Sequence, residues 1–146
     1  MRNNKGFSLV ELIVVIAIMA ILAAVAIPTF ATFIGKAQKA SDVDFMAQAQ
    51  SAAELAFATE TAPVNGIKVT IDDNAITTIV VTVGTKDYTF GKENGALKCT
   101  TSGLTTTETK CAEDFAAVVD ASYEFKSEKD GTFKVNADGS ALESAN

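Results

Sequence analysis

The stretch Phe7–Ile27 reads FSLVELIVVIAIMAILAAVAI, and Ser8 and Glu11 are its only polar residues. At about 1.5 Å per residue this run forms a helix roughly 31 Å long, close to the hydrocarbon thickness of a bilayer. Pro28 follows directly. The sequence therefore predicts a membrane-spanning helix over residues 7–28. Because a carboxylate inside a span costs roughly 2.5–3.5 kcal/mol on insertion scales, Glu11 indicates a functional role.

The composition of the chain argues against several classes of function. The chain has 146 residues and a formal net charge of −6, so it repels phosphate, and nucleic acid is not an expected partner. It contains no histidine, the commonest metal ligand and the usual base at neutral pH. We therefore expect no metal, no cofactor and no enzymatic activity. The residues after Pro28 are enough for one domain with a modest core.

A second helical stretch follows the apolar run. Residues 29–61 are rich in Ala, Gln, Lys, Met and Leu, which favour helix. Pro28 and Gly35 are the points where this helix is expected to kink, and residues 28–35 are expected to be its least regular part. The sequence predicts one bent helix over Phe7–Thr61 that ends before Pro63.

The second half of this helix, residues 29–62, is expected to be amphipathic and to carry two apolar seams at 100° per residue. The first consists of Val43, Met46, Ala47, Ala53 and Phe57, and the second of Phe45, Ala49, Ala52 and Ala56. A helix packed on one domain needs a single apolar stripe. We expect the first seam to pack on its own domain and the second to receive a neighbouring molecule. The alternative is that an alanine-rich helix shows alanine in every direction.

The apolar period changes to two after residue 63, which indicates a globular β-rich region over residues 63–146. Four strands are predicted, at residues 67–71, 76–83, 86–90 and 96–99, with the second of them central. Short turns join them, so they are expected to be antiparallel. Residues 100–110 are predicted to be a loop, residues 112–122 a short helix, and residues 123–125 and 132–135 a hairpin around Asp130-Gly131. The fold class is α+β, a long N-terminal helix packed on an antiparallel sheet of about four strands.

Cys99 and Cys111 both follow the apolar run. They are expected to form a disulfide if this region lies outside the cell, and to remain thiols in a reducing environment.

The motif Lys5-Gly6-Phe7-Ser8-Leu9-Val10-Glu11-Leu12, with an apolar run that ends at Pro28, resembles the N-terminal signal of type IV pilins and of the pseudopilins of type II secretion systems. The similarity covers residues 1 to about 40. It implies that residues 1–6 are a leader, and that a prepilin peptidase cleaves between Gly6 and Phe7 and methylates the new Phe7 amine. It also implies that Glu11 meets the Phe7 amine of a neighbouring subunit. The alternative is that Glu11 faces its own helix N-terminus, where the dipole favours an anion.

The resemblance implies a structural subunit of a type IV pilus-like surface filament that serves adhesion, twitching or aggregation. Its expected partners are identical subunits, the prepilin peptidase, an inner-membrane assembly platform and, before assembly, membrane lipid. The precursor is expected in the cytoplasmic membrane with its N-terminus inside, and the assembled filament outside the cell. The alternatives are a pseudopilin of a secretion or DNA-uptake system, a monomeric binding domain with a single-span anchor, and a secretory protein cleaved after Ala26.

Overall fold

The computed structural model describes residues 7–127, 131–136 and 143–144. The chain divides into two compact units, Met1–Ala37 and Gln38–Asn146. The described elements are α1 (Leu9–Ala56), β1 (Val64–Asp72), β2 (Ala75–Val83), β3 (Lys86–Glu93), β4 (Ala96–Cys99), α2 (Thr106–Val118), β5 (Gly131–Asn136) and β6 (Glu143–Ser144). The α+β class with a long N-terminal helix and an antiparallel sheet is confirmed.

Helix α1 continues through Pro28 and Gly35 without a break. Thr29 Oγ1 donates a hydrogen bond to the Val25 carbonyl at 2.7 Å, and Thr32 Oγ1 donates to the Pro28 carbonyl at 3.1 Å. The proline deletes only one backbone hydrogen bond, and these hydroxyls add bonds on either side of it. The irregular segment expected at residues 28–35 is therefore wrong, whereas a bend at either residue stays a prediction.

The end of α1 differs from the predicted end at Thr61. The helix stops at Ala56, and the chain then tightens into a turn in which Ala58 N donates to the Leu55 carbonyl at 3.3 Å and Glu60 N to the Phe57 carbonyl at 3.0 Å. Bonds to the third preceding residue are typical of tightened helix ends. Phe57, the first residue of this turn, is buried in the core.

The six strands within the described residues form one sheet in the order β4-β3-β2-β1-β5-β6, with antiparallel neighbours. The four predicted strands correspond to β1–β4, and β2 is interior, as predicted. The predicted C-terminal hairpin is wrong, because β5 pairs with β1 and Glu124 forms an isolated bridge with Ala75. A local turn signal such as Asp130-Gly131 does not indicate which strand, far away in the sequence, β5 pairs with. Asp130 itself lies outside the described residues.

The core lies between one face of the sheet and the two helices. Alternate residues of β1, β2, β3 and β5 supply its sheet side, among them Val69, Ile79, Phe90 and Phe133. Helix α2 adds Phe115, which contacts Phe90 with ring centroids 4.8 Å apart. The opposite face of the sheet carries mainly Thr, Lys and Asp side chains. This is the alternation expected of an antiparallel sheet with one solvated face.

Helix α2 starts earlier than the predicted helix at residues 112–122, and it replaces the second half of the predicted loop. Thr105 is its N-cap and forms a capping box with Glu108, in which each residue's side chain accepts a hydrogen bond from the other's backbone N–H. This box satisfies two backbone donors at the helix start and fixes the first turn. The pattern Thr105-Thr106-Thr107-Glu108 is legible in the sequence, but the run of Thr residues favours a loop when it is taken alone.

Candidate assembly site

The N-terminal part of the site is the start of α1. Phe7 is 83% exposed, Glu11 lies in the first helical turn, and Gly6 lies outside the described residues. Leu12 N donates to the Ser8 carbonyl at 3.2 Å, so the helix is formed before Glu11 is reached. A carboxylate in the first turn is favoured by the helix dipole.

The apolar side chains of the first unit are exposed along the whole described stretch from residue 7 to residue 34. By length and composition, α1 contains a segment able to cross a membrane. Exposed apolar surface of this extent marks a region that contacts lipid or other protein. The sequence-predicted span and the exposed helix therefore coincide.

The second half of α1 does not separate into the two predicted seams. Phe45 is only 7% exposed and Ala49 only 2%, and both belong to the core of their own domain. The Phe45 ring stacks on Tyr123 with centroids 4.2 Å apart and meets Phe125 edge-on at 5.7 Å. The assignment of Phe45 and Ala49 to a face that receives a neighbour is therefore wrong. Residues 120–127 cover these two side chains, and the apolar pattern of the helix does not predict that this distant segment packs there.

The other two residues of that seam, Ala52 and Ala56, are half-buried and line an open groove between α1 and α2. The groove has a volume of about 530 Å³, and its walls are formed mainly by apolar atoms. Leu55 is 77% exposed and Val118 is 68% exposed at its edge. Leu55 belongs to neither predicted seam, although a leucine in this alanine-rich part of the helix is a signal in the sequence. We call this surface the helix groove.

Asp42 is a buried carboxylate for which the helical pattern carries no distinguishing signal. It is fully buried, and it accepts hydrogen bonds from Tyr123 Oη at 2.8 Å, Ser127 N at 2.8 Å and Ser127 Oγ at 2.5 Å, with further bonds from Lys126 N. Burial raises the pKa of this carboxyl, but the hydrogen bonds from Ser127, Tyr123 and Lys126 outweigh it and lower the pKa below its usual value. Asp42 thereby ties segment 120–127 to α1.

Glu108 fastens α2 to the sheet. Its Oε1 atom accepts hydrogen bonds from Lys86 Nζ at 2.6 Å and Tyr88 Oη at 2.9 Å, while Oε2 accepts from Thr105 N at 2.7 Å. The Lys86 ammonium is the main cause that lowers the pKa of Glu108 to about 2. Burial and the Glu108 carboxylate raise the pKa of Tyr88. One carboxylate thus serves both the helix cap and the contact between helix and sheet.

Both cysteines are free thiols in the structure. Cys111 is buried on α2, with its Sγ atom 3.4 Å from Thr59 Oγ1, and Cys99 lies at the end of β4. The structure thus holds the thiol form of the two expected alternatives, and the disulfide expected for an oxidising environment stays a prediction. Within the described ranges, no cluster of three metal-ligating side chains occurs.

Residues 1–27 match the family model of the prokaryotic N-terminal methylation motif. Searches of curated proteins and of solved structures gave no match. The matched segment contains the predicted cleavage point, Glu11 and almost all of the predicted span. The chain therefore carries the class III N-terminal methylation signal that is characteristic of type IV pilins and pseudopilins.

Proposed function

We propose that the chain is the precursor of a structural subunit of a type IV pilus-like surface filament. The observation that carries this proposal is the methylation motif at residues 1–27, which coincides with an exposed apolar helix that has a single carboxylate in its first turn. An exposed apolar helix needs lipid before assembly and other helices after it. Its role is structural, and neither catalysis nor nucleic-acid binding is part of it.

In this proposal the precursor enters the cytoplasmic membrane with its N-terminus inside. The prepilin peptidase cleaves between Gly6 and Phe7 and methylates the new amine. Gly6 suits a peptidase cleft because the absence of a Cβ atom leaves the backbone open. An inner-membrane platform then transfers the subunit into a filament, where burial of residues 7–28 among identical helices supplies cohesion.

Glu11 supplies register in this mechanism of assembly. Apolar helices can slide along one another, whereas a carboxylate that meets the Phe7 amine of a neighbour has one favoured position. The attraction between the two charges grows in a medium of low dielectric constant and offsets their desolvation. The pair fixes the axial offset between subunits.

The decisive experiment combines electron microscopy of sheared surface material with mass spectrometry of the subunit N-terminus. We expect filaments whose subunit begins at a methylated Phe7. Gly6→Leu should leave precursor in the membrane, and Gly6→Ala, with a single added methyl group, should be the milder matched variant. A mature chain that begins at Met1 or Ile27 would contradict the proposal. A pseudopilin would give a different result. Its wild-type chain would be processed correctly without forming surface filaments, and deletion of its gene would abolish protein secretion or DNA uptake.

A further inference from the structure

The apolar surface of α1 continues past Pro28, where the predicted span ends. Phe30 is 67% exposed, Phe33 is 64% exposed and Ile34 is 45% exposed. The apolar part of the helix therefore extends from residue 7 to residue 34, which is about 42 Å of helix. The hydrocarbon core of a bilayer is about 30 Å thick, and the bilayer with its headgroup layers is about 40–45 Å thick. When residues 7–27 cross the hydrocarbon, residues 29–34 lie at the depth of the headgroups.

The stretch after Pro28 is amphipathic, unlike the span before it. At 100° per residue, one side of the helix carries large apolar side chains and the other carries hydroxyl and ammonium groups. The apolar side consists of Phe30, Phe33 and Ile34, and the polar side of Thr29, Thr32 and Lys36. Aromatic rings on one side and lysine on the other are typical of helical segments that lie in the interface of a membrane.

Lys36 places a positive charge at the end of this stretch. No charged residue lies between Glu11 and Lys36. The Lys36 side chain is exposed, and no ion pair between described residues includes it. The first acidic residue that follows, Asp42, is buried and accepts hydrogen bonds from Tyr123 and Ser127. The ammonium group of Lys36 is therefore open to an anionic partner.

We propose that residues 29–36 form a second membrane contact of the precursor, in the headgroup layer on the side away from the leader. Phe30, Phe33 and Ile34 meet the acyl chains close to the headgroups, and Lys36 binds the phosphate of an anionic lipid. A lysine near the end of a span extends its ammonium group to the interface while its methylene groups cover apolar surface.

A lipid surface is favoured as the occupant because the amphipathic stretch is continuous with the span. Insertion of residues 7–27 brings residues 29–36 to the headgroups without any further association step, and the charge of Lys36 complements that of anionic lipid. This contact rests on the membrane-anchored precursor in the proposed function, and it is the same for a pilin and for a pseudopilin. A second copy is the other candidate cover, and the test separates the two.

Tryptophan fluorescence measures the depth of each position, because the chain contains no tryptophan and one substitution introduces a unique fluorophore. The full chain is reconstituted in vesicles of equal parts phosphatidylglycerol and phosphatidylcholine. The acyl chains are brominated either at the headgroup end or at the methyl end, and bromine quenches a tryptophan that lies next to it. Phe33→Trp reports on the proposed contact and Ile18→Trp on the middle of the span. Leu55→Trp, on the folded domain, is the control.

The expected results differ among the three positions. Bromine at the headgroup end should quench Phe33→Trp at least about twofold more strongly than bromine at the methyl end, because residue 33 lies near the headgroups. The order should be reversed for Ile18→Trp, and neither lipid should quench Leu55→Trp. Phe30→Trp should give the same order as Phe33→Trp, and it takes its place if Phe33→Trp does not fold.

The role of Lys36 is tested by charge reversal in the Phe33→Trp chain. Lys36→Glu should lower the quenching by the headgroup-end lipid at least about twofold, because the attraction to anionic lipid becomes repulsion. Lys68→Glu, which reverses an exposed cation on β1, is the matched control and should leave the quenching unchanged. Equal quenching in the two variants would overturn the contact with lipid phosphate.

Failure of this contact and failure of the membrane step in the proposed function give different results. If Ile18→Trp is not quenched, the chain does not insert, and both fail. If Ile18→Trp is quenched but Phe33→Trp and Phe30→Trp are not, the second contact is overturned while the span stands. Blue-shifted emission of Phe33→Trp without quenching would show that protein, such as a second copy, covers the segment, and it would overturn the lipid contact as well.

Discussion

Asp42 shows how one buried charge can organise a segment that has no regular structure. Its carboxylate accepts hydrogen bonds from Ser127, Lys126 and Tyr123. These donors of segment 120–127 are therefore satisfied without the backbone hydrogen bonds of a strand or helix. We expect Asp42→Ala to lower the free energy of unfolding of a fragment that contains residues 29–146 by about 3 kcal/mol, because buried donors lose their acceptor. Asp42→Asn should lower the free energy of unfolding by roughly half as much, because the amide oxygen can still accept some of these hydrogen bonds. Urea denaturation measures both.

The matched control is Asp44→Asn, which removes an exposed carboxylate two residues away and should change stability by less than about 0.5 kcal/mol. The pH dependence follows from the sign of the shift. The pKa of Asp42 is lowered in the folded protein from its ordinary value of 3.8, so its stabilisation is present above that pH and is lost as pH falls through the folded pKa. The gap between wild type and Asp42→Asn should therefore narrow below about pH 4. A gap that stays constant would contradict the carboxylate role.

Glu11 is the second residue whose charge can be tested apart from its shape. Glu11→Gln and Glu11→Ala should both be cleaved after Gly6, because the scissile bond lies outside the helix that starts at Leu9. Filament formation should nevertheless fall sharply, since a buried Phe7 amine without its anion costs about 3–5 kcal/mol. Ser8→Ala, a polar deletion that keeps the charge, is the control. Wild-type polymerisation of Glu11→Gln would show that the carboxylate does not set register.

Among the elements, α2 depends on a single carboxylate for its cap and for its contact with the sheet. The pKa of Glu108 is lowered to about 2 from 4.5, chiefly by Lys86. Its stabilisation is thus complete above the unfolded value and is lost as pH falls from about 4.5 towards 2. We expect Glu108→Gln to reduce the pH dependence of unfolding in this window, as measured by thermal melts. Glu113→Gln, exposed on the same helix, should keep the wild-type pH dependence.

The strands and helices differ in how far the sequence predicts them. Strands β1–β4 follow from period-two patterns and turn residues, because both signals are local. Helix α2 begins earlier than predicted, because the capping box of Thr105 and Glu108 starts it there. The run of threonines around the box favours a loop and hides this signal in the sequence. The partner of β5 depends on the distant β1 edge, which no local pattern encodes.

The helix face is the harder part of the candidate site to predict. Alanines look alike around a helix, so only the contacts of Phe45 with Tyr123 and Phe125 reveal that this side belongs to the core. The N-terminal motif is predictable because its residues act through spacing along the chain, and they keep their meaning before any tertiary structure forms. The helix groove on the folded domain includes Leu55 and Val118, which come together only when α1 and α2 are in place.

At the scale of the whole molecule, the two compact units differ in how far they bury their apolar side chains. Residues 9–27 expose apolar side chains throughout, whereas the second unit has a closed core of aromatic and β-branched residues. A unit that contains its own core is expected to fold without the remainder of the chain. We therefore predict that the chain can be truncated within α1, after Pro28, and that the second unit still folds.

We expect the fragment 29–146 to be monomeric in water and to unfold in one cooperative transition. Its stability should match that of the full chain in detergent to within about 0.5 kcal/mol, because the described residues among those deleted, 7–28, contribute no side chain to the core. A fragment that starts at residue 50 is the control. It should not fold, since it lacks the buried side chains of Asp42, Phe45, Met46 and Ala49. Differential scanning calorimetry and sedimentation measure both properties. If the fragment 29–146 were destabilised by more than about 2 kcal/mol, or aggregated as the full chain does without detergent, the apolar segment would be part of the domain's fold and more than an assembly element.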